Sequence, residues 1–145
     1  MNVCIWMLSV PILAYGAYQD WKYRIVPNKV PAGLAILAVI EMIISIFGNN
    51  NFFISVSISE RIFGVIVPAL ILFLLYVVQE DGIGGGDYKL IIALGALIGA
   101  TQLSIVAFVA CLIALCYCFM KQVRSVPFAI MVFVGYIFLL IFREI

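Results

Sequence analysis

The chain has 145 residues, of which 67% are hydrophobic and only 10% are charged. A soluble domain carries about 25% charged residues, so this composition predicts a protein whose solvent is lipid. Histidine is absent, which excludes a Ser-His-Asp triad, a Cys-His dyad and a histidine-ligated zinc. The net charge of +1 indicates no basic surface for binding nucleic acid. We therefore expect a membrane protein without nucleic-acid partners, whose chemistry has to use carboxylates, lysine, tyrosine, serine or cysteine.

Six apolar runs have the length of helices that cross or enter a membrane, which takes about 20 apolar residues per span. The connections between them are short, as in a compact helical bundle. We predict an all-α, polytopic membrane bundle that forms one domain over residues 1–145. The predicted spans are Val3–Tyr18, Pro31–Phe47, Ile62–Val78, Tyr88–Ala100, Leu103–Met120 and Val126–Phe142.

The fourth and fifth spans divide one long uncharged run at the small and polar cluster 99–102, which predicts a turn. The fourth span, Tyr88–Ala100, is then about 20 Å long at ~1.5 Å per residue, shorter than the ~30 Å hydrocarbon core. If its outer end reaches the outer interface, Asp87 at its start is drawn below the inner surface. A carboxylate at that depth is costly unless it is paired or functional.

Basic residues are unevenly distributed between the two sides of this bundle. With both termini on the outer side, the inner side holds six basic residues and the outer side only two, which agrees with the positive-inside rule. The inner residues are Lys22, Arg24, Lys29, Lys89, Lys121 and Arg124, and the outer ones are Arg61 and Arg143.

Two acidic residues share one membrane level in this arrangement. Asp20 follows the first span and Asp87 opens the fourth, both on the inner side. Two carboxyl groups brought together can share a proton, so that one acts as general base and the other as general acid. Asp87 starts a helix, whose dipole favours the charged form, and Asp20 ends one, so we expect Asp87 to be the base and Asp20 the proton donor. The alternative is that Asp87 only caps its helix.

The residues around Asp87 suggest a supporting loop. Gly84, Gly85 and Gly86 allow close approach of the backbone. Lys89 has three possible roles: it holds this loop, contacts a substrate carbonyl, or lies at the lipid interface. The four cysteines lack the paired spacing of a zinc site, so we predict no metal and no cofactor.

Three segments resemble the motifs of type IV prepilin peptidases, which are membrane-embedded aspartic proteases with a Gly-x-Gly-Asp signature. The segment GIGGGDYKL at 82–90 resembles their second catalytic motif, and QDWKYRIVPN at 19–28 resembles the first. The segment VPFA at 126–129 is similar to a Pro-Phe motif before their last helix. Ile130 departs from the pattern, because many relatives have proline there.

The resemblance implies an activity and a site. Such enzymes remove the leader of prepilins or pseudopilins at the cytoplasmic face of a prokaryotic membrane, after a glycine and before a hydrophobic residue, and Asp20 and Asp87 would be the catalytic pair. Larger members carry an N-terminal zinc-cysteine extension and also N-methylate the product. We expect no such extension and no methyltransferase activity here, as in the short peptidases of tight-adherence (Flp) pili.

Other polar residues are candidates with open roles. Glu41 lies near the middle of the second span, where it faces substrate or pairs with Thr101, Gln102 or Tyr136. Glu80 and Asp81 are placed to attract a basic leader. The possible substrate-binding residues are Lys22, Arg24, Pro27, Asn28, Glu80 and Asp81.

Two other functions compete with the peptidase. One is a small transporter or channel subunit in which Asp20, Glu41 and Asp87 form a polar path. The other is an inactive structural partner of a pilus or secretion assembly. A presenilin-like protease also uses Gly-x-Gly-Asp, but its Tyr-Asp context does not match residues 19–21. The sequence does not predict an oligomeric state.

Overall fold

The structure is a computed structural model that describes residues 3–47, 56–78, 85–121 and 126–143. Across these ranges it contains six helices and no strand, so the all-α prediction is confirmed. Each helix overlaps one of the predicted spans. The helices are α1 (Val3–Tyr23), α2 (Lys29–Phe47), α3 (Ile58–Val78), α4 (Gly85–Ile98), α5 (Ala100–Lys121) and α6 (Phe128–Arg143).

Several helix ends differ from the predicted ones for local reasons. α1 continues to Tyr23, so Asp20 lies within its last turns rather than after the helix. α3 begins earlier than predicted because Ser57 caps it, with the Glu60 N–H 3.5 Å from the serine hydroxyl. The predicted four-residue turn before α5 is wrong, because Gly99 alone separates the two helices. It has a φ of 83°, a conformation that glycine adopts readily at a helix end.

The central helix of the bundle is α4. It packs against α2, α3, α5 and α6, while α1 packs against α2 and α6 on one side. Leu90, Leu94, Leu97 and Ile98 of α4 are almost completely buried in the hydrophobic core. The shortest of the six helices is therefore the one that the others surround, and its first turn carries Asp87.

Two glycines let α3 and α4 approach closely. A side chain on Gly95 would overlap the carbonyl oxygen of Gly64, and one on Gly64 would overlap that of Gly95. Small residues permit this kind of backbone contact between helices. Gly64 and Gly95 therefore serve packing within the bundle.

The outer surface is strongly apolar. Within the described residues, one helix is long and apolar enough to cross a membrane by length and composition, Ala100–Met120, and Phe128–Phe142 is a shorter apolar helix. Large apolar side chains are exposed on the other helices as well. Examples are Leu8, Ile36, Ile40, Phe63, Leu70 and Phe73.

Candidate active site

Asp20 is buried, with only 5% of its surface exposed. Its Oδ2 atom accepts a 2.8 Å hydrogen bond from the backbone N–H of Ala129. Ala129 is the second residue of α6, where backbone N–H groups have no partner inside the helix and the helix dipole is positive. The N–H of Ala129 is therefore free of a partner within α6 and binds the Asp20 side chain instead.

Packing between α1 and α6 places the start of α6 beside Asp20. Pro127 is fully buried just before the helix begins, and proline suits a helix N-terminus because its missing N–H is not needed there. Further along, the Tyr136 hydroxyl lies 2.7 Å from the Ser9 hydroxyl and donates to the Trp6 carbonyl at 3.1 Å. This buried network holds α6 against α1.

Asp87 lies in the first turn of α4 and precedes Tyr88, the first residue of the predicted fourth span. Its pKa is raised from 3.8 to about 6, mainly by partial burial and in smaller part by the negative charge of Asp20. The structure therefore brings the two carboxyl groups within electrostatic reach of each other, although they are distant in sequence.

The surroundings of the two groups reverse the expected division of roles. The expectation that Asp87 is the base rested on the helix that each residue belongs to, but Asp20 also meets the start of a second helix, α6. Burial favours the protonated form of Asp87, whereas Asp20 accepts a hydrogen bond from the Ala129 N–H. The geometry fits Asp20 as the base and Asp87 as the proton donor.

The supporting loop is partly visible. A side chain on Gly86 would come within 2.7 Å of the Val26 carbonyl oxygen, so glycine is needed for α4 to start this close to the α1–α2 connection. Lys89 Nζ donates a 3.0 Å hydrogen bond to Asn28 Oδ1, which ties α4 to the same connection. Gly85 has open space around it. Gly84 lies outside the described residues.

The proposed substrate-binding residues of the first motif lie around the end of α1. Lys22 is exposed and its Nζ lies 5.1 Å from the centre of the Tyr23 ring. Arg24 ends the helix in a left-handed conformation with a φ of 56°, and its N–H donates to the Asp20 carbonyl at 2.9 Å. Pro27 is partly buried. Glu80 and Asp81 lie outside the described residues.

Glu41 forms a buried ion pair with Arg61, at 3.2 Å between Oε1 and Nη2. Arg61 also donates from Nη1 to the carbonyl oxygens of Ala96 and Leu97, so it caps the end of α4 opposite to Asp87. Arg61 was predicted as an outer loop residue, and its role was missed.

A signal for Arg61 is present in the sequence. The Ser57-x-x-Glu60 pattern is a capping box, which predicts a helix from Ile58 and so places Arg61 inside it. Thr101, predicted as a partner of Glu41, donates to Glu60 instead, at 3.2 Å.

Sequence comparison identifies the class of protein to which this geometry belongs. The sequence model of the type IV leader peptidase family matches residues 7–119, which include Asp20 and Asp87. The chain belongs to the type IV leader peptidase family. No match was found among curated proteins, and none among solved structures. The family match ends before α6, so the Ala129 N–H that binds Asp20 lies outside it.

Proposed function

We propose that the chain is a membrane-embedded aspartic endopeptidase that removes the leader of type IV prepilins or pseudopilins at the cytoplasmic face of a prokaryotic membrane. Membership of the leader peptidase family supports the peptidase activity. The observation that supports the aspartic mechanism is the electrostatic coupling between Asp20 and Asp87 at neighbouring helix ends. No histidine is available in the chain to take over acid–base work.

The proposed reaction divides the work between the two carboxyl groups. Asp20, whose Oδ2 accepts the Ala129 N–H, removes a proton from water while the water oxygen attacks the scissile carbonyl carbon. Asp87, whose pKa burial raises to about 6, donates its proton to the carbonyl oxygen. Asp20 next passes the proton that it took from water to the scissile nitrogen, and Asp87 recovers its proton from a hydroxyl of the tetrahedral intermediate. The carbon–nitrogen bond then breaks, the new carboxyl group stays with the leader, and the nitrogen leaves as the amine of the mature chain.

The membrane placement is supported by the exposed apolar surface and by the position of aromatic residues. Tyr18, Trp21 and Tyr23 are all more than half exposed around Asp20, at the inner end of α1. Aromatic side chains prefer the membrane–water interface, and basic residues prefer the cytoplasmic side. Lys22 and Lys89 share this level. We therefore propose a multi-pass bundle with its site near the cytoplasmic interface.

The transporter alternative is less well supported. It needs Asp20, Glu41 and Asp87 to line one polar path. Glu41 instead pairs with Arg61 at the far end of α4, where both side chains are buried. A buried, paired carboxylate is a structural element of the bundle rather than part of a path for ions.

The proposed function can be tested with a purified protein and a synthetic precursor that has a basic leader, a Gly-Phe cleavage site and an apolar helix. We expect cleavage by the wild type after glycine, and its loss in Asp20→Asn and in Asp87→Asn. Glu60→Gln is the matched control, since it removes a carboxylate far from the site, and it should keep full activity. Chelators should have no effect, and the product mass distinguishes cleavage alone from cleavage with methylation. Full activity in either Asp variant would refute the pair.

A further inference from the structure

An open apolar groove runs between α3 and α5. Its volume is about 420 Å³, and Ile91 of α4 lies at its floor. The walls carry one polar side chain, Ser104, whose hydroxyl already donates to the Ala100 carbonyl at 2.9 Å. The groove therefore fits an apolar occupant whose own hydrogen-bonding groups need no partner from its walls. The other residues lining its walls include Val67, Pro68, Ile71, Leu103 and Ala107.

The groove is closed at the outer end of the bundle. There α3 and α5 touch, because a side chain on Gly64 would lie 3.0 Å from the Ala100 nitrogen and from the Gly99 carbonyl carbon. Further along the helices, the groove separates them. The inner part of α5 stays uncovered, and Phe119 and Met120 are each 86% exposed.

The floor of the groove leads to Asp87. Ile91 is one helical turn after Asp87, so the two side chains lie on the same face of α4. A second groove, of about 380 Å³ between α2 and α3, has Ala96 at its floor. Ala96 is nine residues from Asp87, which at about 100° per residue places it on the opposite face of α4. Of these two grooves, only the one between α3 and α5 opens on the catalytic face.

We propose that the α3–α5 groove binds the apolar helix that follows the scissile bond of the substrate, as a further part of the proposed peptidase function. An apolar segment in lipid has to be helical to satisfy its backbone groups, and this groove offers it an apolar wall on the face that carries Asp87. A lipid tail would also fit this space, but a bound lipid would not make cleavage depend on the apolar helix of the substrate. A second copy of the chain would cover the Asp87 face and obstruct access to it.

The first test compares two precursors and two variants. The long precursor has a leader, Gly-Phe and an apolar helix of about 20 residues, and the short one ends six residues after Phe. In Ala107→Phe, which fills the groove, the ratio of kcat/KM for the long precursor to that for the short one should fall about tenfold, the factor expected when one large apolar side chain loses its burial. Ala35→Phe is the matched control, since Ala35 is an exposed alanine that lines the other groove.

The inference is overturned if the ratio is unchanged in Ala107→Phe, or if it falls equally in Ala35→Phe. A second measurement does not depend on Ala107→Phe folding well. We would introduce p-benzoylphenylalanine in place of Ser104 in an Asp87→Asn background and irradiate it with the long precursor. A crosslink to the precursor that is missing when the crosslinker replaces Ala35 supports the groove, whereas crosslinks only to lipid or to a second copy refute it.

Cleavage by the wild type distinguishes a failure of this inference from a failure of the proposed function. If the wild type cuts neither precursor, the proposed function fails and the groove assignment fails with it. If the wild type cuts both and needs Asp20 and Asp87, but Ala107→Phe leaves the ratio unchanged, only the groove assignment fails.

Discussion

The N–H of Ala129 near the end of the chain binds the carboxylate of Asp20 near its beginning, at 2.8 Å. This bond joins the last helix to the residue that we propose as the catalytic base. It also gives α6 a role beyond packing, because a backbone group of that helix binds the Asp20 side chain directly. Because this donor is a backbone N–H, the residue type at position 129 does not indicate it in the sequence.

Proline substitution removes this donor selectively. We expect Ala129→Pro to lower kcat about 10- to 100-fold with little change in KM, since a hydrogen bond to a charged group contributes about 1.5–3 kcal/mol. Proline is tolerated in the first turn of a helix, so α6 should still form. The measurement is steady-state cleavage of a synthetic precursor.

Ile130→Pro is the control for that variant. Residue 130 lies in the same first turn, and its N–H also precedes the first bond within the helix. It should retain most of the wild-type kcat, in keeping with the proline that many type IV prepilin peptidases have at this position. Equal losses in the two variants would mean that proline disturbs α6 and that the bond to Asp20 has no special role.

The activity should depend on pH through Asp87. Its pKa is about 6, and the proposed reaction needs it protonated. The rate should therefore fall as the pH rises through about 6, which a pH profile of kcat/KM measures. A rate that stays constant from pH 5 to pH 8 would contradict the role of Asp87 as proton donor.

The stability of the folded protein should also depend on pH through Asp87. The folded pKa of Asp87 lies above the ordinary value of 3.8, so its stabilising effect is complete below pH 3.8 and is lost as the pH rises through about 6. Asp87→Asn does not titrate, and its Tm relative to wild type should be higher at pH 7 than at pH 4. Asp20→Asn should keep most of the wild-type pH dependence, because burial is the larger cause of the shift.

Lys89 and Asn28 should affect kcat through the single hydrogen bond that joins them. We expect Lys89→Met and Asn28→Ala each to lower kcat several-fold, and the double variant to be no worse than the poorer single one, because both remove the same hydrogen bond. Lys29→Met removes a neighbouring exposed lysine and should have no effect. If Lys89 instead contacts substrate, the two losses will multiply and KM will rise in Lys89→Met alone.

The ion pair of Glu41 and Arg61 should matter for stability. Removing one partner of a buried pair costs about 3–5 kcal/mol, because the other charge stays buried. Glu41→Leu combined with Arg61→Met should therefore cost less than the sum of the two single variants. Unfolding in mixed micelles measures these free energies, with Glu60→Gln as the control. Strictly additive losses would show that the two residues do not interact.

The helices could be predicted because apolar runs are bounded by charged, glycine or proline residues. Gly99 marked the break between α4 and α5, and the positions of Asp20 and Asp87 at helix ends followed from the same pattern. The family motifs added the chemistry. These are local features, which a single sequence displays directly.

The remaining features depend on which helices become neighbours. The Ala129–Asp20 bond requires α6 to pack beside α1, and no residue pattern predicted that contact. The Glu41–Arg61 pair was missed because the start of α3 was placed too late, which put Arg61 in a loop. The roles that we propose for the two Asp residues differ from the expected ones because of the first of these omissions.

The hairpin of α4 and α5 has arms of unequal length joined by Gly99 alone. α4 has 14 residues and α5 has 22, so the first arm is about 21 Å long and the second about 33 Å at ~1.5 Å per residue. In the proposed bilayer the long arm matches the hydrocarbon thickness and the short arm does not. Because longer helices surround α4, the space beyond its first turn is bounded by their ends rather than by lipid. In the proposed membrane placement this space is a recess at the cytoplasmic end of the bundle, through which water can reach the two acids.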